Sequence, residues 1–168
     1  MKKIINNQLK LYFTDLFPYK SSQNNDKFKY TVTLGIGGNI GNTKAIFHSL
    51  FKMLLSNNLY HIVKTSPLLL NPPFGFLEQN DFLNGIIVVK TNLPPMVILN
   101  QMQRYERRFK RKRSFKDAPR TLDIDIIFIK KHNINITLQT QKLILPHKDW
   151  QNRNSVIIPL SYFGTIKL

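Results

Sequence analysis

Two acids, Asp123 and Asp125, interrupt a run of β-branched and aromatic residues, Leu-Asp-Ile-Asp-Ile-Ile-Phe-Ile over 122–129. Such a run forms strand. In a strand, residues i and i+2 share a face, so the two carboxylates stand side by side while Leu122, Ile124 and Ile126 turn to the other face. Carboxylates this close repel each other, and a hard divalent cation relieves the repulsion. Mg²⁺ suits the pair, because it is held by one or two protein carboxylates and takes its remaining ligands from substrate phosphates and water. A D-x-D on a strand is also what an ordinary solvated strand face presents. What favours the metal reading is the approach to the acids, where Arg104, Arg107, Arg108, Lys110, Arg111, Lys112, Arg113, Lys116 and Arg120 crowd together. Cations beside an acid pair fit a polyphosphate clamp.

The elements that must position this clamp can be read upstream and downstream. Tyr-Thr-Val-Thr-Leu-Gly-Ile from Tyr30 alternates as a strand and runs into Gly37-Gly38-Asn39-Ile40-Gly41-Asn42. Asn42 caps a helix over 42–56, with Ile46, Phe47, Leu50 and Leu54 on one face. A Gly-rich turn ahead of a helix can hold phosphate, but neither the dinucleotide-binding glycine spacing nor a Gly-Lys-Ser/Thr is present, and a plain tight turn explains the glycines equally well. A second strand is expected over 59–66, where His61 reads as a half-exposed strand residue. The stretch 67–80, centred on Asn71-Pro72-Pro73-Phe74-Gly75, is expected to be irregular; a long loop of this kind is either a binding loop or a connector. Residues 82–91 form a strand carrying Asn84, whose amide both donates and accepts and so suits a heterocycle or a backbone partner. Pro94 and Pro95 open a helix over 96–109, with Ile98, Met102, Tyr105 and Phe109 inward and Gln103 and Glu106 as i,i+3 neighbours. The charged run 110–118 is a solvated loop or a lid over a polyphosphate. A hairpin is expected over 130–145, with its tip in 133–140. His147, Lys148 and Arg153 follow within seven positions of one another.

The order β-α-β, β-α-β and a hairpin implies an α+β domain, an antiparallel sheet with both helices on one face. Its 168 residues suffice for one core. Residues 1–29 read as an appendage of unassigned role, with an apolar island over 9–17, and residues 30–168 as the domain. The net charge of +16 points to an anionic partner: nucleic acid, membrane surface or nucleotide. The absence of cysteine excludes a disulfide framework and thiol chemistry. No apolar run reaches the length of a membrane span, and Asn6, Asn7, Gln8 and Lys10 interrupt any signal-peptide core. A cytoplasmic monomer is expected.

Lys116-x-Ala118-Pro119-Arg120-x-x-Asp123-x-Asp125-Ile126-Ile127 resembles the signature of the 6-hydroxymethyl-7,8-dihydropterin pyrophosphokinases of the folate pathway. Gly37-Gly38-Asn39, Asn71 to Gly75, Asp81 to Asn84 and Pro146-His147 through Arg153 to Leu160 fall in that family's order. The resemblance implies a ferredoxin-like fold and transfer of pyrophosphate from ATP to the pterin's hydroxymethyl oxygen, with release of AMP. It assigns two Mg²⁺ ions to Asp123 and Asp125. Charge stabilisation on the transferring group falls to Arg111, Arg113 and Arg120, with the first two on a closing loop. The ATP site is assigned to Gln103, Glu106, Ile126, His147, Lys148 and Arg153, and the pterin pocket to Asn71, Pro72, Phe74, Phe82 and Asn84. Ser155 stands where the family usually places a phenylalanine over the second face of the pterin, and Phe74 or Phe115 is a possible substitute ring. The competing readings are an RNA-binding ferredoxin-like module, disfavoured because no Lys-Gly-Phe-Gly-Phe-type run is present and the acid pair repels a nucleic-acid backbone, and a homologue that binds nucleotide without catalysis.

Overall fold

The computed structural model describes residues 1–23, 27–112, 115 and 117–164. Its centre is β4 (Tyr30–Gly38), flanked on one side by β7 (Phe82–Thr91) and on the other by β8 (Asp123–Lys131), all antiparallel. β5 (Tyr60–Thr65) and β6 (Leu68–Asn71) lie end to end along the far edge of β7, opposite Ile87–Thr91 and Phe82–Asn84 respectively. The four principal strands therefore run β5-β7-β4-β8, with α1 (Thr43–Leu55) and α2 (Pro95–Arg108) as the crossovers. This is the ferredoxin-like α+β arrangement expected from the sequence.

Both helices pack on one face. Phe47, Leu50, Phe51 and Leu54 of α1 and Ile98, Met102 and Tyr105 of α2 meet Val32, Leu34, Ile124 and Ile126 in the main core. Asn42 caps α1, its side chain accepting from Ala45 N–H at 3.1 Å. α2 opens on Pro94-Pro95, where the missing N–H of proline is no loss.

Three features depart from the sequence reading. Leu68–Asn71, placed in an irregular loop, is a strand, because Leu68 and Leu69 are fully buried and the edge of β7 offers hydrogen bonds. The hairpin expected over 130–145 is two hairpins. The chain reverses at His132 and Asn133, both left-handed (φ 47° and 67°), so that β9 (Ile134–Asn135) pairs with the end of β8. It then forms β10 (Leu138–Gln139) and β11 (Ile144–Leu145) as a separate ribbon. Third, α3 (Asn154–Ser161), which follows a 3₁₀ turn at Trp150–Asn152, lies on the face opposite α1 and α2. There Val156, Leu160 and Trp150 pack on Ile86, Val88, Ile127 and Phe128. A bulge between Thr33 and Leu34 places Ile127 and Phe128 together in this second cluster.

The N-terminal residues extend the sheet. β1 (Lys2–Ile4) pairs with β2 (Lys10–Tyr12), β2 with β6, and β3 (Tyr19–Lys20) with β5. Phe17, from the apolar island, is fully buried in the main core. No helix among the described residues is long and apolar enough to cross a membrane.

Candidate active site

The register of the central strands arranges the site. Asp123 lies opposite Gly37, which lies opposite Asn84, and Asp125 lies opposite Gly35. Directly paired residues point to the same face, so the acid pair and Asn84 flank a strip of β4 that carries only glycine. A Cβ at Gly37 would sit 2.7 Å from Asn84 Oδ1. The glycines leave bare backbone as the floor of a cavity of about 490 Å³.

All five residues assigned to the pterin pocket line this cavity: Asn71, Pro72, Phe74, Phe82 and Asn84. Asn84 donates to Asn71 Oδ1 at 2.7 Å, and Asn71 donates to the Pro72 carbonyl at 2.7 Å, so the two amides hold each other in place. Asn84 Oδ1 remains able to accept from a ligand. Phe82 is buried, and the Arg120 guanidinium lies 5.0 Å from its ring centre. Phe74 is largely exposed at the rim, whereas the Phe115 ring packs edge-on against Phe76. Ser155 and Val156 also line it.

A second cavity lies between α2, the outer edge of β8 and the β10–β11 ribbon. Gln103, Glu106, Ile126, His147, Lys148 and Arg153, assigned to ATP, all line it, together with Gln141 to Ile144 of the ribbon. His147 donates its backbone N–H to the Ile127 carbonyl at 2.9 Å, which fixes it at the end of this cavity. Its Nδ1 is buried without a hydrogen-bond partner among the described residues. The two cavities share Asp117, Arg120, Asp123, Asp125 and Arg153. The acid pair stands where they meet.

Local structure delivers the cations there. α2 ends in a left-handed Lys110 (φ 58°), with Lys110 N–H donating to the Arg107 carbonyl and Arg111 N–H to the Glu106 carbonyl. This αL termination turns the chain back on itself and brings the Arg111 guanidinium between Glu106 and Asp123, to both of which it is ion-paired. Glu106 is buried, and its Oε1 also accepts from Ile124 N–H at 2.9 Å, tying α2 to the start of β8. Arg120 Nε lies 3.4 Å from Asp123 Oδ2, and Arg153 Nη1 lies 3.6 Å from Asp125 Oδ2. Arg113 lies outside the described residues.

The donor set fits Mg²⁺. Partial burial and the neighbouring charge of Asp123 raise the pKa of Asp125, against the pull of His147, Arg153 and Arg120. A cation bound to the pair would remove that repulsion. Among the described residues there is no group of three acids, histidines or cysteines that would enclose a metal. Two carboxylates alone suit an ion that draws its other ligands from phosphates and water.

The family described as 7,8-dihydro-6-hydroxymethylpterin-pyrophosphokinase (HPPK) matches residues 33–164. The chain belongs to this family. Among its relatives, the 2-amino-4-hydroxy-6-hydroxymethyldihydropteridine pyrophosphokinase of Campylobacter jejuni is 41% identical over 144 residues, 86% of this chain and 88% of that protein. The Helicobacter pylori protein of the same name is 40% identical over 136 residues, 80% of this chain and 81% of its own length. That of Bacillus subtilis is 30% identical over 128 residues.

Several residues of this HPPK chain shape the site although the sequence reading gave them no role in it. Asn39 is buried in the turn after β4. Its Oδ1 accepts from Arg120 N–H at 2.9 Å, and its amide donates to Gln79 Oε1 and the Asn80 carbonyl. Gln79 in turn donates to the Asp117 carbonyl at 2.9 Å. The Gly-rich turn thus positions Arg120 and the proline-rich loop, while the start of α1 lines neither cavity. The partners lie 81 positions apart for Asn39 and Arg120, and no local pattern signals such a pair.

Proposed function

We infer that this protein transfers pyrophosphate from ATP to 6-hydroxymethyl-7,8-dihydropterin, a reaction of folate biosynthesis, and that its two cavities divide the substrates between them. The observation that carries this reading is the acid pair at the junction of two cavities, one floored by glycine and walled by Phe82 and Asn84, the other lined by His147 and Arg153. The pterin lies in the first, with Phe82 against one ring face and Asn84 at the ring edge. ATP lies in the second, and its phosphates reach the junction. The hydroxymethyl oxygen attacks the β-phosphorus, forming a new O–P bond and giving up its proton to solvent. The bond from that phosphorus to the α,β-bridging oxygen breaks, and AMP leaves with this oxygen.

Asp123 and Asp125 hold two Mg²⁺ ions, which when bound neutralise and orient the triphosphate. Arg120 stays in place through Asn39 and donates to the transferring group. Arg111 starts from its Glu106–Asp123 bridge and turns to the phosphates, and Arg113 is assigned the same charge-stabilising role. Pre-positioned donors of this kind act on charge as it develops, in a site that closure dries. The protein works as a monomer and without nucleic acid as a partner; what supports the second part is that Arg111, Arg120 and Arg153, which line the cavities, are paired with carboxylates around a small-molecule site.

The test is AMP release from ATP and Mg²⁺, with and without the pterin. AMP is expected only when pterin and metal are both present, and Asp123→Ala or Asp125→Ala is expected to abolish it nearly completely in protein that melts cooperatively. Turnover retained in both variants would remove the metal assignment. Nucleic-acid binding that survives physiological salt would favour the RNA reading.

A further inference from the structure

The pterin cavity has a wall that lies outside the matched family region. The turn joining β1 to β2 reaches the cavity through Asn6, Gln8 and Leu9, whereas the family match begins at residue 33. The placement follows from register. β2 pairs with β6 so that Lys10 lies opposite Leu70, and the chain leading into Lys10 therefore emerges beside Asn71 and Pro72, which line the same cavity. The turn is closed by its own bonds. Asn6 Oδ1 accepts from the N–H groups of Gln8 at 2.9 Å and Leu9 at 2.8 Å, and Ile5 N–H donates to the Leu9 carbonyl at 2.9 Å.

These bonds use the oxygen of Asn6 and leave its amide N–H₂ without a partner among the described residues. The whole side-chain amide of Gln8 is equally uncommitted there. Two carboxamides with spare donors and acceptors, beside a half-buried Leu9, suit the polar edge of a heteroaromatic ring. Ser155 lines the same cavity and brings no ring to it.

We propose that the β1–β2 turn is a substrate-binding wall of the pterin cavity, with Gln8 and Asn6 hydrogen-bonding the pterin and contributing to its selection. This rests on the assignment of that cavity to the pterin. The sheet order β8-β4-β7-β6-β2 puts the turn on the side of the cavity away from Asp123, remote from the hydroxymethyl group that reacts. Its contribution is to binding, and the chemical step does not depend on it.

The experiment compares steady-state kinetics and equilibrium pterin binding of the full chain with those of Gln8→Ala, Asn6→Asp and both together. Asn6→Asp keeps the oxygen that closes the turn and replaces the N–H₂ donor with a second, charged acceptor oxygen, so the bonds that close the hairpin are preserved. Lys3→Ala, elsewhere on the same hairpin, serves as control. For the double variant the expected result is a pterin KM and Kd raised about tenfold, consistent with two lost hydrogen bonds. The kcat, the KM for ATP and the melting temperature are expected to stay at wild-type values, and Lys3→Ala to match wild type throughout. Unchanged pterin affinity in the double variant overturns the proposal, as does a loss that falls equally on ATP and is accompanied by lower melting. If wild-type protein neither binds pterin nor releases AMP, the function reading falls and this wall with it. Active wild type with indifferent variants removes the wall alone.

Discussion

Glu106 shows how one buried side chain can serve both fold and site. The family resemblance placed it at the nucleotide, and it does line the second cavity. Its Oε1 is nonetheless committed to Arg111 and to the peptide N–H of Ile124. Removing one partner of a buried ion pair strands the other charge, at a cost of about 3 kcal/mol or more. Glu106→Ala is therefore expected to lower the melting temperature markedly and to release Arg111 onto Asp123 alone, whereas Glu106→Gln, which keeps the acceptor for Ile124, recovers much of the stability. Thermal denaturation of the two variants checks this, and wild-type melting of Glu106→Ala would contradict it.

Two adjacent glycines at the end of β4 do different work. An added Cβ at Gly37 meets the end of the Asn84 side chain at 2.7 Å, and one at Gly38 meets the Thr121 carbonyl at 2.6 Å. A side-chain amide can turn aside but a backbone carbonyl cannot, so the two substitutions separate binding from stability. Gly37→Ala is expected to melt near wild type yet bind pterin more than about tenfold more weakly, since Asn84 loses its hold on Asn71. Gly38→Ala is expected to lose about 1–3 kcal/mol of stability. Calorimetric titration with pterin, alongside melting curves, distinguishes them. Among the elements, the N-terminal strands are joined to the domain by more than an edge ladder. Phe17 is fully buried against Phe47 and Phe51 of α1, and Phe17→Ala is expected to cost about 3–5 kcal/mol. We propose on this ground that residues 1–20 fold with the domain; a melting temperature unaffected by Phe17→Ala would show them to be separable.

For the molecule as a whole, the excess of Lys and Arg that gives +16 produces a field that draws in a polyanion. Carboxylates in the site cancel part of it locally, but the surface field still steers encounter. The kcat/KM for ATP is expected to fall several-fold as salt rises from about 0.01 to 0.1 M, where the Debye length shrinks from about 30 to 10 Å. The kcat is expected to change far less. Stopped-flow or steady-state measurement at two salt concentrations tests this, and a salt-independent kcat/KM would mean that the charge serves something other than substrate capture.

The chemistry of the site could be read directly from residues close together in the chain. Asp123 and Asp125 share a face because a strand repeats every two residues, Gln103 and Glu106 share one because a helix brings i and i+3 together, and Asn42 caps α1 three positions from the N–H it receives. These are short-range rules; the division of the other candidates between pterin and ATP came from the family resemblance, and those described here line one cavity or the other. Long-range partnerships were not legible. Leu68–Asn71 looked irregular beside its prolines until the unpaired edge of β7 made it a strand, and α3 could be assigned to a face only once Ile86 and Ile127 were seen to need covering. Asn39 gives no hint in its neighbourhood that it holds Arg120, nor do Asn6 and Gln8 that they reach the cavity over the β4 glycines. Such roles depend on strand register and on burial shared between distant segments, which the chain acquires only when the sheet has assembled.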